Sequence, residues 1–149
     1  MKFEFLKSKE IKELKNKIDK QFGVVPELDY IFLKNTQDRI FAVSKKLKEF
    51  DIGNLRVNRV GLYFGKVEDG LLRLTIEGVQ LIKPNDNVLE INEEQLKDWV
   101  KGQNLVMNSD LRGVAIIKFE NDYLGCAKIG KGIVYNFIPK ERRLKGEIL

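Results

Sequence analysis

The chain has 149 residues, a formal net charge of +5, no histidine and one cysteine. Because the sequence has no imidazole, it cannot form a Ser-His-Asp or Cys-His nucleophilic site or any zinc site that contains histidine. Because it has only one thiol, no disulfide can form within the chain. There is no run of eighteen apolar residues. We therefore expect a cytoplasmic protein that contacts no membrane, holds no metal or cofactor and is not an enzyme.

The N-terminal half predicts a strand, a helix and two hairpins. Residues 2–6 alternate in polarity, and Ser8 is a candidate N-cap for the helix that follows. That helix would bury the face formed by Ile11, Leu14, Ile18 and Phe22 and end at Gly23. One hairpin is predicted from the strands at 28–33 and 39–43, and a second from the strands at 57–65 and 71–74. A helical turn at 44–47 and a loop at 51–54 would lie between the two hairpins. Thr75 would then cap a short helix that reaches residue 82.

The C-terminal half begins after the break at residues 84–87, where we place a domain boundary. Residues 88–91 predict a strand. Asn92 and Gln95 then form a capping box for a helix that contains Trp99 and ends at Gly102. Three further strands, at residues 114–119, 123–127 and 133–138, are joined by turns rich in glycine and asparagine. Short strands at this spacing predict a small barrel.

Charge is unevenly distributed over the C-terminal half. Residues 86–98 sum to −4, whereas residues 123–149 sum to +4. The basic residues Lys140, Arg142 and Arg143 follow Pro139 closely, and arginine forks match phosphate oxygens. An ordinary charged C-terminal tail without a binding role would have the same composition. The lysines around the first helix are likewise typical of a face exposed to solvent.

Aromatic residues and the cysteine leave two further questions open. Tyr135 and Phe137 share one strand face and Asn136 the other, and either face is equally suited to burial. Exposed aromatic rings in such strands could stack on unpaired bases. Cys126 lies in a strand-like run, where a small buried residue is expected rather than a nucleophile.

Residues 84–149 resemble a PUA domain, a small RNA-binding pseudo-barrel. The resemblance is carried by the strand at 88–91, the helix that ends in Gly102, the segment from Gly113 to Ala115, and Leu124, Gly125 and Lys128. The segment from Asn136 through Pro139 and Lys140 to Arg143 is similar to the end of the PUA-like domain in Sun/Fmu-type RNA 5-methylcytosine methyltransferases. The methyltransferase half and its cysteine pair have no counterpart here, so the resemblance implies binding without methyl transfer.

Residues 1–83 resemble the pre-PUA domain of those enzymes and of small archaeal and eukaryotic ribosome-biogenesis proteins. The matching stretches are residues 30–33, 38–44, 61–66 and 72–76. The expected architecture is therefore α+β, with a mixed α/β pre-PUA module at 1–83 followed by a PUA-like small β-barrel with a packed helix at 84–149.

The resemblance implies a non-catalytic protein that binds structured rRNA or tRNA in ribosome biogenesis, rRNA processing or RNA modification. An RNA-modifying enzyme or a pre-ribosomal particle would be the further partner. The alternative is a protein-interaction adaptor that acts in trans for an RNA methyltransferase or pre-ribosomal complex, with the acidic helix at 93–101 as the partner surface. The predicted RNA-binding residues are Lys128, Lys131, Asn136, Lys140, Arg142, Arg143, Arg59, Lys66, Tyr123 and Tyr135.

Overall fold

A computed structural model describes residues 2–24, 27–45 and 61–145. Five antiparallel strands form the first sheet in chain order: β1 (Phe3–Phe5), β2 (Tyr30–Asn35), β3 (Arg39–Ser44), β4 (Leu62–Glu68) and β5 (Leu71–Leu74). Both predicted hairpins are confirmed, as β2–β3 and β4–β5. Several predicted features lie outside the described residues: the second half of the turn at 44–47, the loop at 51–54, and the strand segment at 57–60 with Arg59.

Helix α1 (Ser8–Phe22) packs on the first sheet through the predicted apolar stripe. Leu14, Ile18 and Phe22 are buried, and Gly23 ends the helix at a φ of 68°. The N-cap prediction was wrong by one residue, because Lys7 is the N-cap and Ser8 is the first helical residue. The backbone N–H of Lys7 donates to the Glu10 carboxylate at 3.1 Å, which satisfies one donor at the helix start, although no N-cap side chain accepts a backbone N–H as was expected of Ser8.

The two shorter helices begin where the capping residues predicted. Helix α2 (Ile76–Ile82) starts after Thr75, whose hydroxyl accepts the N–H of Gly78 at 3.0 Å. Helix α3 (Glu93–Val100) starts after Asn92, and the exchange of bonds between Asn92 and Gln95 confirms the capping box. No helix among the described residues combines the length and the apolar character that crossing a membrane requires.

The second sheet consists of β6 (Val88–Glu90), β7 (Leu105–Val106), β8 (Gly113–Phe119), β9 (Asp122–Ile129) and β10 (Ile133–Asn136). It has the strand order β6-β8-β9-β10-β7 and is curled into half a barrel. The pairs are antiparallel except β6 with β8, which are parallel and joined through α3. The predicted barrel is thus confirmed only in part, since β6 and β7 lie at the edges of this sheet. A 3₁₀ turn (Lys140–Arg142) follows β10.

Two of the three clusters of buried residues in the described part of the chain hold these layers together, and the third lies on the other face of the first sheet. The larger combines residues from α1, the first sheet and α2 with Val114, Ile116 and Cys126 of the second sheet. The smaller packs the opposite face of the second sheet around Trp99 of α3. Val114 and Ile116, on one face of β8, therefore link the two predicted modules, whose boundaries at 1–83 and 84–149 stay a prediction.

Candidate nucleic-acid interface

Strand pairing brings Lys128 and Tyr135 together on an exposed part of the second sheet. The two residues are register partners on β9 and β10, so their side chains share a face. Ile133 lies two residues before Tyr135 and pairs with Val106, which places both on the same face. Lys128 is exposed, as are 40% of Tyr135 and 89% of Val106. We call Val106, Lys128, Ile133 and Tyr135 the strand-edge surface.

Lys131 lies in the turn that joins β9 to β10. The N–H of Gly130 donates to the carbonyl of Ile133 at 2.9 Å, and Gly132 adopts a φ of 71°, so the turn presents Lys131 to solvent. An open recess of about 690 Å³ separates this turn from the loop that carries Arg112. Arg112 is exposed and its Nη1 donates to the carbonyls of Ser109 and Leu111. The sequence prediction omitted Arg112 because it stands alone in a loop.

The three basic residues of the tail occupy three different environments. Lys140 is exposed at the start of the 3₁₀ turn. Arg142 forms an ion pair with Glu77 of α2. Arg143 is turned inward: its Nε donates to the carbonyl of Ile138 at 2.9 Å, and its side chain lies directly beside Gly102. A Cβ on Gly102 would lie 2.3 Å from the Cδ of Arg143, so the glycine makes room for the arginine. Lys140 and Arg142 remain accessible to an anion, whereas Arg143 supports the chain around it.

Asn136 uses its side chain to connect β10 with the end of α3. Its amide nitrogen donates to the carbonyls of Trp99 at 2.8 Å and Gln103 at 3.0 Å. Its amide oxygen accepts the N–H of Ile138 at 2.7 Å. These bonds occupy the donor and acceptor groups that a base or phosphate would need.

Tyr123 and Lys66 lie apart from the strand-edge surface. Tyr123 is five residues from Lys128 along β9, about 16 Å at the ordinary rise of a strand. Its ring faces the Nζ of Lys118 at 5.2 Å, and its hydroxyl donates to the carbonyl of Pro84 at 3.4 Å. Lys66 belongs to β4 in the first sheet. The structure therefore does not bring all the predicted residues into one contiguous surface.

Lys66 lies within a row of three basic residues that crosses the first sheet. It pairs in register with Arg39 of β3 on one side and Arg73 of β5 on the other, so all three share a face. We call these residues the basic row. Glu68 lies 3.6 Å from Lys66 and 3.4 Å from Arg73, and it neutralises part of their charge. Arg39 and Arg73 were missed because their alignment depends on strand register, which basic residues far apart in the sequence do not reveal.

A cleft of about 430 Å³ lies between β4, β5 and α2 on one side and β9 with the C-terminal tail on the other. The Arg73 guanidinium carbon is 4.5 Å from the centre of the Phe137 ring at this cleft. Cys126 also lines it, but only 4% of the residue is exposed. The Cys126 Sγ accepts the N–H of Leu74 at 3.2 Å, and burial raises the pKa of the thiol to about 12. The expectation that Cys126 is a small buried residue is confirmed.

Residues 86–144 match the family described as the methyltransferase RsmF PUA domain. The chain is 22% identical to a ribosomal RNA small subunit methyltransferase F from Aliivibrio salmonicida over 142 residues, which is 93% of this chain. Over 119 residues it is 23% identical to a protein of the same name from Aliivibrio fischeri. The chain spans less than a third of the length of these relatives, covering 29% and 24% of them.

These comparisons confirm the resemblance of the C-terminal half to the PUA domain of Sun/Fmu-type RNA methyltransferases. The matched residues contain all of α3 and the strands β6 to β10, as well as the 3₁₀ turn. The strand-edge surface and the tail that carries Lys140 and Arg142 therefore lie within the residues that match the PUA-domain family. The pre-PUA assignment of residues 1–83 stays a prediction.

Proposed function

We propose that this protein binds structured RNA, rRNA or tRNA, through its PUA domain, and that it does so in ribosome biogenesis or RNA modification without catalysing a reaction on the RNA. The observation that carries this proposal is the strand-edge surface. A lysine and a half-exposed tyrosine stand side by side in register there, within the domain that matches the family. Lysine supplies charge for phosphate, and the tyrosine ring supplies a face for an unpaired base.

Several basic side chains extend the surface around this pair. Lys131 projects from the adjacent turn and Arg112 from the facing loop, whereas Lys140 and Arg142 are further exposed basic residues of the C-terminal tail. Because phosphate contacts release counterions, binding through such residues depends strongly on salt concentration. The RNA would be held mainly through its backbone and shape, as is usual for double-stranded RNA.

The proposed non-catalytic role is supported by the chemistry of the single thiol. Cys126 is buried, and its raised pKa keeps it protonated at neutral pH, so it is a poor nucleophile. With no histidine in the sequence, no imidazole base lies near it. Nucleoside mass spectrometry of RNA recovered from the complex tests this part of the proposal. We expect unchanged nucleosides, whereas a new modified nucleoside would contradict it.

Filter binding of the full chain to transcribed small-subunit rRNA and to a tRNA mixture tests the site. We expect the double variant Lys128→Gln with Tyr135→Leu to bind at least tenfold more weakly. Loss of one phosphate contact should also lower the slope of log affinity against log salt by about 0.9. The matched control is Lys9→Gln with Tyr30→Leu, which also removes an exposed lysine and a half-exposed tyrosine. Equal affinities for the two double variants would show that the RNA does not use the strand-edge surface.

The second candidate function is the adaptor acting in trans for an RNA methyltransferase or pre-ribosomal complex. Helix α3 favours it, because Glu93, Glu94 and Asp98 are exposed on that helix. Pull-down of partners before and after nuclease treatment separates the two functions. Partners retained after nuclease would favour the adaptor, and partners lost with the RNA would favour direct RNA binding.

A further inference from the structure

The cleft between β4, β5 and α2 and the β9 side of the second sheet has the features of a site for one flat, polar-edged group. Its volume of about 430 Å³ lies within the range of small-ligand sites. Its walls include apolar side chains from both halves of the chain, among them Leu62, Leu124 and Ile138. Apolar walls of this kind favour contact with the face of a planar group.

Aromatic rings and a guanidinium group border this cleft. Arg73 lies over the ring of Phe137, with 4.5 Å between the guanidinium carbon and the ring centre. Tyr63 also lines the cleft, and its ring is supported by Phe41 at 5.3 Å between centroids. Unpaired bases of RNA stack on surfaces of these two kinds, aromatic rings and arginine planes.

The polar groups of the cleft lie where they can recognise the edge of a base. Glu77 and Arg142 form an ion pair there, and each side chain keeps more than a third of its surface exposed. Carboxylate oxygens accept N–H groups, whereas guanidinium groups donate to carbonyl oxygens and ring nitrogens. Because an exposed ion pair contributes little stability, exchanging it for bonds to a base costs little.

The basic row leads to this cleft from the first sheet. Arg73 belongs to both features: it ends the row after Arg39 and Lys66, and it lines the cleft. Neighbouring strands lie about 4.8 Å apart, so the row spans about 10 Å from β3 to β5. A nucleotide seated in the cleft would thus have cationic side chains along the path of its sugar-phosphate backbone.

We propose that the cleft binds a single unpaired nucleotide of the RNA, with its base stacked against Phe137 and Arg73 and its backbone running along the basic row. This inference rests on the proposed function, because the nucleotide belongs to the RNA that the PUA domain holds. It adds a second contact, separate from the strand-edge surface, in which both halves of the chain take part.

Two cleft variants test the proposal in the filter-binding assay with the same rRNA and tRNA probes. Phe137→Leu removes the stacking ring, and Glu141→Trp obstructs the cleft from an exposed position on its rim. Stacking on one aromatic ring contributes about 1–3 kcal/mol, so we expect each variant to bind at least fivefold more weakly. The salt slope should stay unchanged for Phe137→Leu, because no phosphate contact is lost, and fall for Lys66→Gln.

The controls separate this inference from the proposed function. Tyr30→Leu removes an exposed aromatic ring elsewhere, and Glu13→Trp adds a tryptophan at an exposed position of α1. Thermal melts establish that each variant is folded at the assay temperature. A folded cleft variant that binds less than fivefold more weakly than the unmodified chain overturns the cleft site, even where the Lys128–Tyr135 variant still loses RNA. Failure of the unmodified chain to bind either probe overturns the proposed function itself.

Discussion

Cys126 shows how burial alone determines the chemistry of a single residue. The residue is 4% exposed, its Sγ accepts the Leu74 N–H, and burial raises the pKa of the thiol from 9.0 to about 12. Between these two pH values the unfolded chain loses the thiol proton while the folded chain keeps it. The folded state therefore binds more protons in this window, and its stability falls as pH rises above 9.

The comparison of the unmodified chain with Cys126→Ala isolates this effect, because every lysine titrates equally in both proteins. We expect the difference in unfolding free energy, unmodified chain minus variant, to be constant below pH 9. Above pH 9 it should fall by about 1 kcal/mol per pH unit. Urea denaturation at pH 7.5, 9.5 and 10.5, followed by the fluorescence of the single tryptophan, measures it. A difference that does not change with pH would show that the thiol titrates normally in the folded chain.

Residue types were easier to predict from the sequence than side-chain directions. The exposed basic residues Lys128, Lys131 and Lys140 lie at the surface of the segment that matches the PUA-domain family, as expected of a basic C-terminal region. Arg143 has the same charge but turns inward against Gly102 and the carbonyl of Ile138. That direction depends on the left-handed backbone at Gly102 and on the path of the chain after β10, which composition does not reveal.

At the scale of elements, Asn136 connects the last strand of the half-barrel to the end of α3. Its side chain makes three hydrogen bonds, to Trp99, Gln103 and Ile138. Asn136→Ala removes all three and leaves their partners short of a bond, so we expect a loss of about 2 kcal/mol in unfolding free energy. Asn108→Ala, at an exposed loop position, should change it by less than about 0.5 kcal/mol. Urea denaturation measures both, and equal effects would show that the Asn136 bonds do not hold α3.

Elements with local signals were predicted well, and those that depend on distant pairing were not. Thr75 and Asn92 mark helix starts because a capping side chain bonds to backbone only three residues ahead. Strand β7 was missed because it has two residues and exists through its pairing with β10. The parallel pairing of β6 with β8, which keeps the second sheet from being a simple meander, also depends on contacts across the whole of α3.

At the scale of the molecule, the largest buried cluster contains residues from both sides of the predicted domain boundary near residue 84. Ile18 of α1, Phe64 of β4 and Val79 of α2 share this cluster with Val114 and Ile116 of β8. The β8 strand also contributes Ala115 and Ile117 to the cluster around Trp99. Separating the halves would expose the apolar residues of the shared cluster to water, which is strongly unfavourable.

We therefore expect the full chain to unfold in one cooperative transition, and a small change in the first half to be felt by a probe in the second. Ile18→Val removes one buried methyl group from α1 and should lower the unfolding free energy by about 1 kcal/mol. Trp99 lies in the other cluster, yet its fluorescence should report the same loss as calorimetry, because both clusters unfold together. Lys20→Ala, on the exposed side of α1, is the control. If the halves unfold independently, calorimetry will show two transitions, and Ile18→Val will leave the Trp99 transition in place.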